Sequence, residues 1–151
     1  MRRFVPVCIG LAFLASPARA GDIRIDDIKA YVFLERAGKF SDNVVGAPSL
    51  SNLPKGGAPG GDMASGVMLD FVFSGEKNSQ PKYATASIDV SQMTKSGQLV
   101  VTHKAFANFA FGVSGVTHKA MYLDNATCQS LQIDVHAGKS SKDAKLVFQC
   151  P

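Results

Sequence analysis

Three histidines, His103, His118 and His136, accompany the methionines Met63, Met68, Met93 and Met121. Imidazole and thioether together suit copper. The spacing argues against it, because no H-x-H, H-x-x-x-H or M-x-x-M cluster occurs. Read as a hairpin turn, Gly112-Val113-Ser114-Gly115 places His103 opposite Asp124 and His118 opposite Phe109. The two imidazoles then sit roughly 20 Å apart at strand rise. Each histidine reads as a surface strand residue, and no metal is expected.

Nucleophile patterns are equally thin. Ser74-Gly75-Glu76-Lys77 spells S-x-x-K, but that motif needs a helix start and a much longer chain. Gly112-Val113-Ser114-Gly115 falls one residue short of G-x-S-x-G, whose elbow also needs an α/β sheet. The acidic residues sit mostly in turns or on polar strand faces, and no pair stands out as acid and base. No catalytic set and no cofactor are expected, so the chain does not read as an enzyme.

The segment Gly46 to Gly66 carries six glycines and three prolines in twenty-one residues. It lacks the G-K-[ST] ending of a phosphate-binding loop. Proline removes backbone donors and glycine resists ordering, so the segment is expected to lie outside the sheets as a mobile loop. Long loops on a rigid scaffold commonly carry binding. Leu50, Leu53, Lys55 and Met63 are the candidate partner contacts, with the three apolar ones alternatively pinning the loop to the core.

The ends of the chain speak about location. Arg2-Arg3, an apolar run from Phe4 to Ala15, and Ala18-Arg19-Ala20 form the three-part pattern of a secretory signal. The apolar run is too short to span a membrane. Residues 1–20 are therefore expected to be removed, leaving one domain over 21–151, periplasmic or secreted, with no membrane span. Of sixteen basic residues, Arg2, Arg3 and Arg19 leave with the signal, so thirteen face twelve acidic ones. With no basic stripe left, nucleic acid is not expected as a partner. Cys128 and Cys150 are the pair that remains, and an exported chain usually joins such a pair as a disulfide. Asn125-Ala126-Thr127 is a glycosylation sequon that matters only in a eukaryotic host.

These residues must be carried by strands. Val67, Leu69, Phe71 and Phe73 alternate onto one face, with Asp70 on the other. Similar runs occur near Ile23 to Leu34, Tyr83 to Val90, Leu99 to Thr102, Phe106 to Val113, Val116 to Leu123, Leu131 to Val135 and Leu146 to Cys150. Turn residues bound each run, which gives about eight strands. Helical periodicity is absent over any useful length, with Ser91 to Ser96 at most one turn or a loop. The expectation is an all-β chain, a single antiparallel β-sandwich, immunoglobulin-like or similar, with one disulfide. The outline resembles small exported sandwiches such as immunoglobulin-like adhesion and pilus domains, a likeness of architecture that fixes no function.

One repeat stands out. Val101-Thr102-His103-Lys104-Ala105 recurs as Val116-Thr117-His118-Lys119-Ala120, which is too few units for a solenoid and reads as coincidence or a duplicated strand. The functional expectation is a non-catalytic exported module for a protein or cell-surface ligand. A periplasmic copper-type protein and a small secreted hydrolase are the alternatives.

Overall fold

The computed structural model describes residues 22–47, 50–51, 64–94, 96–124 and 130–149. The expected signal and its cleavage site, the sequon, Cys128, Cys150, Leu53, Lys55 and Met63 lie outside the described residues. Within them the chain is all-β, with two antiparallel sheets of four strands each packed as a β-sandwich. No described helix is long and apolar enough to cross a membrane.

The first sheet runs β2 (Lys39–Phe40), β1 (Arg24–Leu34), β4 (Ala64–Ser74), β7 (Val116–Asp124). The second runs β6 (Leu99–Phe106), β5 (Ala86–Met93), β8 (Leu131–Ala137), β9 (Ser140–Leu146). A two-residue pair, β3 (Leu50–Ser51) and β10 (Phe148–Gln149), is parallel and separate. The inner faces follow from the period of two. Val67, Leu69, Phe71 and Phe73 of β4 are fully buried, against Ile88 and Val90 of β5 and Ile133 and Val135 of β8. Each such side chain contributes about 1.5–3 kcal/mol by leaving water.

On β1 the buried positions step from Ile25 to Ile28 before alternation resumes at Ala30, Val32 and Leu34. A register shift between Ile25 and Asp27 absorbs the extra residue, as a bulge does. The Asp27 carboxylate accepts the Ile28 N–H at 2.9 Å there. The same end of β1 is tied to the second sheet. The Ile25 N–H donates to Ser140 Oγ at 3.1 Å, and Lys142 Nζ donates to the Asp26 carbonyl.

Several expected elements differ. Of Phe106 to Val113 only Phe106 is in a strand, because the chain must cross there from the second sheet to the first. The rest is a loop whose Phe109 and Phe111 plug the sandwich, 2% and 3% exposed. An isolated bridge to Ser79 helps to hold it, through the Phe111 N–H to the Ser79 carbonyl at 2.9 Å. Gly112 to Gly115 does close a turn, Gly115 N–H to the Gly112 carbonyl at 3.0 Å, but β6 and β7 leave it for different sheets. The hairpin between them is therefore wrong: His103 lies opposite Asp89, and His118 opposite Val72.

Gly46 to Gly66 does not lie wholly outside the sheets. Leu50–Ser51 pairs with Phe148–Gln149, and Ala64 to Gly66 begins β4, with Gly66 opposite Asp124. Ser91 to Met93 finishes β5, and the Thr94 N–H to Gln98 carbonyl bond of 2.7 Å closes a turn behind it. The strand β9 was not expected, because its sequence SSKDAKL is nearly all polar.

Candidate functional site

The chemistry-bearing residues of the sequence do not assemble. His103 Nδ1 lies 2.7 Å from Asp89, and His118 Nδ1 lies 2.9 Å from Asp70, each on the outer face of its own sheet. His136 is exposed on β8 opposite Ser87. Among the described residues no three His, Cys, Asp or Glu side chains come together as a metal site. Ser74 ends β4 with its Oγ donating to Asp26 at 2.7 Å, so it is not poised toward Lys77. Ser114 Oγ accepts the Val116 N–H at 3.2 Å, a turn role. Of the four candidate partner contacts only the backbone of Leu50 is described, in the pair with Phe148.

The structure instead opens a cavity of about 500 Å³ at one end of the sandwich. Three separate segments wall it: Asp22 to Arg24 leading into β1, Tyr83 to Thr85 leading into β5, and Gly138 to Ser140 between β8 and β9. Each is placed by local chemistry. Ala137 pairs with Ser140 across a two-residue turn. Gly138 takes φ +58° at its first position, which a type II′ turn requires, and this carries Lys139 to the tip. A bond of 3.2 Å from the Ala84 N–H to the Pro81 carbonyl closes a turn over Lys82 and Tyr83. Tyr83 is thereby held outward, 78% exposed, with Lys82 Nζ 5.8 Å from its ring centroid.

The floor is apolar, from buried Ile23 and half-buried Ala84, and the rim carries Arg24 and Lys139 against Asp22. None of the three histidines lines it. A second hollow of about 540 Å³ lies on the other side of the same turn, lined by Gln80, Pro81, Lys82, Asn108, Phe109 and Ala110. Sequence reading missed this site because it took Tyr83 as the first residue of a strand. The available signal was an aromatic residue set between Pro81-Lys82 and the alternation that starts at Ala86.

No protein-family model matches the sequence, and no curated protein matches it. Among solved structures the chain is similar to the Pseudomonas fluorescens alkylpurine DNA glycosylase AlkC bound to DNA containing an abasic site analog, with a TM-score of 0.49 and 10% identity. The match covers 85% of this chain and 31% of the glycosylase chain. Two expectations are corrected at this point: that nucleic acid is excluded as a partner, and that the chain is a non-catalytic exported module for a protein or cell-surface ligand. The exclusion of nucleic acid rested on the lack of a basic run in the sequence. The fold removes that ground, since it gathers Arg24, Lys82 and Lys139 at one end from positions far apart in the chain. The likeness assigns no ligand to this chain.

Proposed function

We propose that this β-sandwich is a binding module for a small anionic ligand that carries a flat ring, taken at the Tyr83 cavity. The observation that carries the reading is the pairing of an outward-held tyrosine with two cations, Arg24 and Lys139, around one apolar hollow. An exposed aromatic face offers stacking to a ring. A guanidinium at the rim offers a bidentate partner to a phosphate, sulfate or carboxylate. The volume lies within the range of ordinary ligand pockets. Asp22 on the rim disfavours a ligand with excess negative charge beyond the reach of the two cations.

The two His–Asp pairs sit on outer sheet faces, away from the segments that wall the cavity. The amino-terminal pattern supports export of the chain, so that the cavity would work outside the cytoplasm.

Titration calorimetry with a nucleoside monophosphate tests the reading, with the uncharged nucleoside beside it. The monophosphate should bind and the nucleoside should bind more weakly, because the cations go unused. Tyr83→Ala and Arg24→Gln should each weaken binding about tenfold, equal to about 1.4 kcal/mol. Equal affinity for both probes, or full binding by Tyr83→Ala, would overturn the proposal.

A further inference from the structure

The two copies of the pentapeptide occupy the two free edges on one side of the sandwich. Val101 to Ala105 lies on β6, the edge of the second sheet, and Val116 to Ala120 on β7, the edge of the first. They are not partners of each other, yet every residue faces the same way. Lys104 is opposite Ile88 and Lys119 is opposite Phe71, and both of those neighbours are fully buried on inner faces. Each copy therefore turns its lysine toward the inside of the sandwich and its histidine outward to an aspartate.

The third long edge repeats the device with an unrelated sequence. Lys142 of β9 is opposite Val135, again a buried inner-face residue. The fourth edge, β2, is only two residues long. Among the described residues, then, each edge strand of the two sheets is either very short or carries an inward lysine.

The physical reason is desolvation. An edge strand presents unpaired backbone groups that another strand can complete. Pairing two edges extends both sheets and brings the inner faces of the new neighbours together. An ammonium on that face would then lose water without a partner, which is costly. Here each lysine has an outlet at the open edge. Lys119 Nζ donates to the carbonyls of Ala107 at 3.1 Å and Asn108 at 3.3 Å. Lys104 Nζ lies 5.9 Å from the Phe106 ring centroid. Lys142 Nζ reaches the Asp26 carbonyl.

We infer that Lys104, Lys119 and Lys142 keep copies of this chain from joining edge to edge, and that Lys104 does most of it. The strand β6 needs the guard most, because Leu99, Val100 and Val101 are 58%, 45% and 54% exposed in sequence. With Lys104 changed to valine the strand becomes a β-branched, uncharged run of the kind that self-associates.

Sedimentation velocity at about 100 μM, inside the range where exposed edges associate, decides the matter. The natural chain should be monomeric. Lys104→Val should form dimers or larger species, and Lys104→Arg, which keeps the inward charge, should not. Lys82→Val removes the same charge from a loop and should stay monomeric. Hydrogen exchange should show new protection on β6 in the associated variant. Where Lys104→Val fails to fold, Lys104→Thr is read in the same way. A dimeric natural chain, a monomeric folded Lys104→Val, or equal association by Lys82→Val would overturn the inference.

Discussion

A methyl group added at Gly75 would meet the Phe111 ring at 2.6 Å, while one added at Gly112 meets nothing within 4 Å. The two glycines look alike in the sequence and are opposite in the structure. Gly75→Ala should cost about 1–3 kcal/mol, because the ring it strikes is packed in the core and cannot swing away. Gly112→Ala should change stability by no more than about 0.5 kcal/mol. Urea unfolding of both variants checks this, and equal midpoints would contradict the packing. Phe109 makes the same point with a large side chain. Its ring stands edge-on to Phe73 at 5.0 Å and stacks on Phe111 at 6.2 Å, although it belongs to no strand. Phe109→Ala should therefore cost about 3–5 kcal/mol, as a core truncation does, where an ordinary loop residue would cost little. Denaturant unfolding reads this too.

At the scale of elements, strands rich in apolar or β-branched residues were legible, and the polar strand β9 was not. Val67, Leu69, Phe71 and Phe73 announced β4 because burial on one side imposes alternation. Ser140 to Leu146 gave no such sign. Its inner positions are Lys142 and Ala144 before Leu146 closes the pattern. Phe106 to Val113 misled in the opposite sense, since its aromatic residues are buried by a loop that folds back over the sandwich end. The expected pairing of Cys128 with Cys150 belongs to this scale as well. Cys128 precedes β8 and Cys150 follows β10. A bond between them would close a loop worth about 3 kcal/mol on the chain-entropy model. In exported protein both thiols should resist alkylation until reduced, and Cys128→Ser should lower stability by no more than that amount. Ready labelling of both thiols without reductant would refute the bond.

For the whole molecule, the amino-terminal pattern predicts that exported protein begins at Gly21. Intact mass spectrometry checks this, and a mass that retains residues 1–20 would disprove it. The ligand site also belongs to this scale, since it exists only where the start of β1, the turn before β5 and the β8–β9 turn converge. No one of these segments carries a binding signature by itself. Charge behaves likewise: Arg24 and Lys139 lie far apart in the chain and meet at the cavity only after the sheets form.

The sequence by itself determined the all-β class and the inner face of most strands. Both are local properties: a period of two follows from the pleat of a single strand and needs no knowledge of its partner. It did not determine which strands pair. Backbone hydrogen bonds are the same for every residue but proline, so the register must come from where loops cross and which faces meet. The tertiary structure alone decided that β6 and β7 part into different sheets, that His103 and His118 go to separate outer faces, and that Tyr83 stands beside Arg24 and Lys139. It also turned a repeated pentapeptide, unreadable as letters, into two edges with the same inward lysine.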